Sequence, residues 1–221
     1  MRNPTRFLPL ILIVFLAACG GESPGGGEKI REFTSGMHWE AGFVPVYRDD
    51  RQGKVYLLLD EQLGDFLYQS SLPRGVGSND IGLDRGQLGG RAALVSFEVV
   101  GDKALLKRRN LRYRADSENP DERRAVEHAF ASAVVWGFPV VARDGGQVLV
   151  DATDFMLRDS HGVTRRLKEM GEGDFKVDAS RSAIHAPRIK AFPKNTELES
   201  IVTLSGENPG PHLRSVAADP H

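Results

Sequence analysis

Along most of the chain, apolar and polar residues alternate more often than they recur at helical spacing. In Ala93-Leu94-Val95-Ser96-Phe97-Glu98-Val99, residues Val95, Phe97 and Val99 fall on one face and Ser96 and Glu98 on the other. That two-residue period is the signature of a half-buried strand. Gly101-Asp102 then turns the chain into Lys103-Ala104-Leu105-Leu106-Lys107, which predicts a hairpin. Upstream, Phe43–Tyr47 and Lys54–Leu59 flank a charged turn ending in Gly53, and Phe66–Leu72 predicts a further strand closed by Pro73. Downstream, Val140–Ala142 and Val148–Val150 flank Asp144-Gly145-Gly146, and Glu199–Leu204 predicts the last strand.

Two segments break this rhythm. Asn119 can cap a helix that Pro120 begins, with Glu122 completing a pattern like a capping box. Val126, Ala129, Phe130, Ala133 and Val134 follow at helical spacing and predict one apolar face. A shorter helix is predicted from Val163 to Met170, with Val163, Leu167 and Met170 inward and Gly171 as its stop. Hairpins in series with few helices predict an α+β fold: a mostly antiparallel sheet, one main amphipathic helix and one shorter helix.

The ends read differently. Arg2 and Arg6 precede an apolar run from Phe7 to Leu16, interrupted only by Pro9. Such a run is too short to span a bilayer, which takes about 20 residues, and it matches an export signal. It ends in Leu16-Ala17-Ala18-Cys19, which resembles the lipobox of bacterial lipoproteins. The resemblance implies a signal peptide over residues 1–18 and acylation of Cys19. Two or more acyl chains, each methylene worth roughly 0.8 kcal/mol, give stable membrane anchoring. No Asp follows Cys19, so the same resemblance implies the cell envelope and an outer membrane facing the periplasm. Residues 19–36 are then a lipidated Cys and a glycine-rich flexible tether, 37–205 the α+β domain, and 206–221 a linker-like tail rich in Gly and Pro.

The chain has 221 residues, enough for one sizeable core, and its net charge of −1 argues against a nucleic-acid partner. A single Cys excludes an internal disulfide framework and a Cys-based zinc site. The six histidines, at 38, 128, 161, 185, 212 and 221, include no pair four apart, so no H-E-x-x-H helix exists. His128 reads as a surface residue and His161 as the start of the shorter helix. No Ser has a Lys three residues on. No catalytic residue, metal ligand or cofactor is assigned from these patterns. The basic run Lys107-Arg108-Arg109, with Arg112 and Arg114, is compensated by the acids that follow it, and reads as a solvated strand edge.

Gly75 to Gly90 is the least ordinary stretch. It starts like a dinucleotide loop but puts Asp80 where the third glycine belongs, which would repel a pyrophosphate. Its readings are a self-supporting Ω-type loop, a loop shaped to dock on another domain, or a ligand site, with Asp80, Asp84 and Arg85 able to pair and pin it.

Several stretches together resemble the N-terminal, non-catalytic region of bacterial zinc-dependent metallopeptidases of the metzincin-like kind, a region known as a domain of unknown function. They are Gly75–Gly86, the hairpin around Val95–Leu106, Asn110–Ala115, Ala125–Glu127 with Phe130–Ser132, Leu149–Phe155, Arg158–Gly162, Arg181–Ala183 and Ala191–Glu197. The resemblance spans roughly Met37 to Leu204. It implies a lipid-anchored accessory module that packs against or positions a peptidase catalytic domain, with zinc held there and not in these residues. The alternative is a free-standing periplasmic binding or structural lipoprotein without a peptidase partner.

Overall fold

In the computed structural model, residues 27–113 and 115–216 are described; Cys19, Arg114 and the last five residues lie outside them. Eight strands form one sheet: β1 (His38–Glu40), β2 (Val46–Asp49), β3 (Lys54–Asp60), β4 (Phe66–Tyr68), β5 (Ala93–Val100), β6 (Lys103–Arg108), β7 (Ala133–Asp144) and β8 (Gln147–Asp151). Their spatial order is β1-β2-β3-β8-β7-β6-β5-β4. Every neighbouring pair is antiparallel, so two meanders, β1–β3 and β4–β8, meet where β3 pairs with β8 from Tyr56↔Asp151 to Asp60↔Gln147. The α+β expectation of serial hairpins in an antiparallel sheet holds.

The inner face of this sheet carries Val46, Leu57, Leu59, Val95, Leu106, Phe138, Val148 and Val150. Helix α3 (Thr153–Leu157) covers it with Phe155 and Met156, and Ile189 seals it from the C-terminal segment. The rings of Phe43, beside the β1–β2 end, and Phe66, on the opposite edge strand, lie 5.7 Å apart, so the sheet curls until its edges meet. From there, aromatic contacts run through Phe97 and Phe138 to Phe155. Behind β3 and β8, helix α1 (Glu28–Phe33) drives a fully buried Ile30 against Tyr47, Tyr56, Leu58 and Leu149. The ordered fold therefore begins inside the stretch expected to be tether.

Several predicted elements take different bounds. β2 starts at Val46 because Phe43 and Val44 bond elsewhere: the Phe43 amide donates to the Phe192 carbonyl, and Val44 exchanges two hydrogen bonds with Thr196 Oγ1. The main helix is only α2 (Pro120–Ala129), since Ala133 and Val134 belong to β7. Asn119 caps it as expected, accepting from the Asp121 amide at 2.9 Å. Asn119's own amide donates to Ser117 Oγ, so Glu122 closes no capping box. None of the α2 residues is buried, and Phe130 and Val134 stand in solvent, so the expected inward apolar face does not pack. The basic run is not an edge either. β7 extends far enough to pair Lys107 with Val134 and Arg108 with Ala133, making β6 an interior strand.

The shorter helix, α4 (Val163–Glu169), ends as expected at Gly171, whose φ is +72°. The Glu172 amide donates to the Leu167 carbonyl and the Gly171 amide to the Lys168 carbonyl, the paired bonds of a Schellman ending. Past it run β9 (Asp174–Val177), β10 (Ala183–Ile184), β11 (Lys190–Phe192), β12 (Asn195–Glu197), β13 (Ser200–Ile201) and β14 (Leu204–Glu207). The single strand expected over 199–204 is thus split into β13 and β14, and β14 pairs with β9. Residues 206–216 are not a linker. Helix α5 (Pro211–Ser215) follows, and the buried Glu172 carboxylate accepts from the Leu213 amide at 2.9 Å and the His212 amide at 3.3 Å.

Replacing Glu172 with Ala leaves those amides unpaired beside an apolar cluster and should cost about 1–3 kcal/mol in urea unfolding. A linker-like tail would instead tolerate the change with no measurable loss.

Candidate functional site

The glycine-rich stretch closes on itself mainly through its backbone. Val76 donates to the Leu83 carbonyl, Gly82 to Asn79, Gly86 to Leu72 and Gln87 to Asp84, while Ser71 bridges Leu88. Ile81 and Leu83 turn inward and, with Leu167 of α4, form a small core of their own that also takes Leu72, Val76, Phe175 and Leu213. The self-supporting loop is therefore what forms, but not by the expected charges. Among the described residues, Asp84 and Arg85 make no ion pair with each other, and Asp80 instead faces His212 at 3.5 Å. The Asp84 amide is held by Gln87 Oε1 at 3.3 Å.

Opposite this loop lies the turn Arg158-Asp159-Ser160-His161-Gly162, delivered by β8 and α3. The Arg158 guanidinium sits 4.4 Å from the Phe155 ring centre and 5.6 Å from that of Trp136, and donates to Tyr68 Oη at 3.0 Å. A cation over aromatic faces in a partly dry setting is worth about 1–2 kcal/mol. It ties the turn to the end of β4. Ser70 Oγ reaches the Ser160 carbonyl at 3.3 Å, a second tie to the start of the loop.

Asp159 then starts α4. Its carboxylate accepts from the amides of Gly162, Val163 and Thr164 and from Thr164 Oγ1, all within 2.9 Å. Burial alone would raise the pKa of this carboxyl; the Thr164 hydroxyl and the three amides outweigh it and hold it below the ordinary range. Gly162 has φ +77°, a conformation only glycine adopts without strain.

Between the two segments lies a cleft of about 330 Å³, lined by Gly82, Leu83, Gln87–Gly90, His161, Gly162, Arg165, Arg166 and Glu169. Arg166 crosses to the loop and donates through Nε to the Ile81 carbonyl at 2.8 Å. Two glycines let the walls come this close. A Cβ on Gly82 would stand 3.2 Å from an Arg166 terminal nitrogen, and one on Gly89 would collide with Ser70 Oγ and lie 3.2 Å from His161 Nδ1. His161 Nδ1 is shut from solvent with no hydrogen-bond partner. Burial lowers the pKa of the ring against a smaller opposing pull from Asp159, so it is neutral near pH 7.

Two stretches that stand out in the sequence, Gly75–Gly90 and Arg158–Gly162, are therefore brought face to face. Asp80, Asp84 and Arg85 do not line the cleft; Arg165, Arg166 and His161 do. Their only sequence mark is an Arg-Arg pair just after His-Gly, which reads as a solvated helix start until the loop is placed across it. His161, Ser70 and Asp159 do not form a catalytic relay: Asp159 is committed to the helix amides and Ser70 to a carbonyl. His128 is exposed on α2. Among the described residues, no group of three or more His, Cys, Asp or Glu side chains is placed to hold a metal ion. What this geometry offers is cationic recognition.

Four substitutions test the arrangement. Ile81→Ala should cost roughly 2–5 kcal/mol by emptying the loop's own core, whereas Asp84→Ala should stay within about 0.5 kcal/mol. Asp159→Ala should cost about 1–2 kcal/mol at neutral pH through loss of the cap. Because the folded pKa of Asp159 is depressed, its contribution is complete above the unfolded value near 3.8 and is lost as pH falls through the folded value. His161 has the same sign for a base. The unfolded ring takes up a proton first, so stability should decline as pH drops below about 6.5, and His161→Gln should flatten that decline. Urea midpoints measured from pH 8 to pH 3 read both.

No curated protein and no solved structure matches the chain. Residues 86–218 match a family described as a domain of unknown function, DUF5117. The match begins later than the Met37 expected from the resemblance and extends past Leu204; it takes in β5 to β14 and the turn at Arg158–Gly162, while β1 to β4 lie upstream of it. It covers more than half of the 221 residues, so the chain belongs to the DUF5117 family.

Proposed function

We propose that this chain is an exported, lipid-anchored accessory module that packs against a zinc-dependent peptidase domain and positions it at the cell envelope. The observation that carries the docking part is the outer face of β4–β6. Across β3, β8 and the end of β7, at Val141 and Ala142, α1 covers the outer face, but on β4–β6 no described helix does. Leu67 is 72% exposed and Val100 51%, with Leu94 and Leu105 half-buried between them. The connection from β6 to β7 adds the exposed Leu111, Tyr113 and Phe130, with the rings of Tyr113 and Phe130 stacked at 4.1 Å, and the start of β7 adds Val134. Single exposed apolar residues are ordinary, but a cluster beside an uncovered sheet face is characteristic of a protein-binding surface.

The anchoring part rests on Cys19 and the apolar run before it, which supply a tether; no described helix is long and apolar enough to cross a membrane. The peptidase partner rests on the resemblance of Gly75–Gly86, Leu149–Phe155 and Arg158–Gly162 to the region that precedes such catalytic domains. Zinc belongs to that partner in this reading.

Two measurements test the proposal. Cys19→Ser should shift the chain from the membrane to the soluble fraction on detergent phase partitioning; unchanged partitioning removes the anchor. For docking, Leu67→Asp with Leu105→Asp should weaken association with a purified catalytic domain of the metzincin-like kind at least tenfold in sedimentation, with the urea midpoint held. Zinc-dependent peptide hydrolysis by the chain alone would contradict an accessory role.

A further inference from the structure

The cleft between the glycine-rich loop and α4 has no part in that docking surface, and its chemistry points elsewhere. Its lining contains two guanidinium groups against one carboxylate, Glu169. Glu169 does not neutralise the site. It lies 3.8 Å from Arg165 Nε, beyond hydrogen-bond length, and both side chains are largely exposed, where such a pair contributes little. Arg166 is set in place by its Nε bond to Ile81, which leaves the far edge of its guanidinium free of that contact. Arg165 folds back over Gly162, where a Cβ would stand 3.3 Å from one of its terminal nitrogens.

His161 supplies a third donor. A buried N–H without an acceptor is costlier than a buried lone pair, so the neutral ring keeps its proton on Nε2 and leaves the enclosed Nδ1 bare. The helix amides cannot serve, because Asp159 already occupies those of Gly162, Val163 and Thr164. Recognition at this place therefore falls to side chains. Planar guanidinium forks with a neutral N–H donor suit an oxyanion with several acceptor oxygens. A cleft of about 330 Å³ is at the small end of ligand sites and exceeds what an inorganic anion fills.

We propose that Arg165, Arg166 and His161, facing the Gly82–Gly90 loop, form a binding site for a small organic oxyanion, a carboxylate or a phosphate ester. The ligand displaces Glu169 from Arg165 and bridges α4 to the loop. Tightening of the loop on α4 accompanies binding, since Arg166 already spans both.

Isothermal titration of the full chain tests this, using citrate, glycerol 3-phosphate and inorganic phosphate as probes against chloride at matched ionic strength. The expected result is saturable one-to-one binding of citrate or glycerol 3-phosphate with a Kd in the millimolar range or below. The tighter of the two identifies carboxylate or phosphate ester as the preferred group. Arg165→Gln, at an exposed position whose one ion-pair partner among the described residues is Glu169, should weaken it at least tenfold, and His161→Gln should weaken it several-fold. Arg123→Gln, on the exposed α2, should leave it unchanged. The thermal midpoint of each variant checks that it folds. The proposal is overturned if neither organic probe saturates, if only inorganic phosphate binds, or if Arg165→Gln binds as wild type does. Loss of equal size in Arg123→Gln would also overturn it, as bulk charge attraction.

Discussion

The pairing of β3 with β8 holds the molecule together. It joins the two meanders by backbone pairing, and it is where both faces of the sheet are covered. Val55 to Leu59 are all buried, as are Val148 to Val150. Leu57, Leu59, Val148 and Val150 face the aromatic interior, while Tyr56, Leu58 and Leu149 face α1. Each such side chain contributes about 1.5–3 kcal/mol on burial, so this seam concentrates stabilisation that neither meander has alone. Lys54 and Asp151 add an ion pair of 3.0 Å at one end of the seam. Burial works against the Asp151 charge, but the Thr153 hydroxyl and amide and the Lys54 ammonium together hold its carboxyl below the ordinary range.

The seam also determines where the chemistry lies. β8 leads directly into α3, whose Phe155 packs on Phe138 and under the Arg158 guanidinium. Arg158 reaches Tyr68 at the end of β4, on the far edge of the sheet. The curl of the sheet, visible in the Phe43–Phe66 contact, makes that reach possible. A loop leaving β4 and a turn leaving α3 are thus forced together, and a cationic cleft forms at their junction. Both halves of the cleft leave the β4–β8 meander, which is their common frame, and β3 backs that frame through its pairing with β8.

Much of the sheet was readable in the sequence because its strands alternate in short, turn-bounded runs: the β5–β6 hairpin and β8 fall close to their expected places. The expected α2 starts where its cap predicts, but its inward apolar face failed for a physical reason. Phe130, Ala133 and Val134 have helical spacing from Val126, but the β6–β7 pairing claims Ala133 and Val134, and local periodicity carries no knowledge of a strand partner some 25 residues earlier. The tail misled through composition. Gly206, Pro209, Gly210 and Pro211 read as linker, yet Gly206 allows close packing on Phe175 and Gly210 on Glu172, contacts that a side chain would block. The charged residues of the glycine loop drew notice as pins, whereas Ile81 and Leu83, two ordinary apolar residues, hold it. Arg165 and Arg166 escaped notice, and His161 read only as a helix start, because their convergence on the loop is a tertiary fact.

The most direct test of this account is native-state hydrogen exchange resolved by residue. A single body closed at β3–β8 predicts that the amides of Leu57, Leu59, Val148 and Val150 exchange slowest, at one free energy equal to that of global unfolding. Amides of β1–β3 exchanging through a separate opening, several kcal/mol below those of β5–β8, would contradict it.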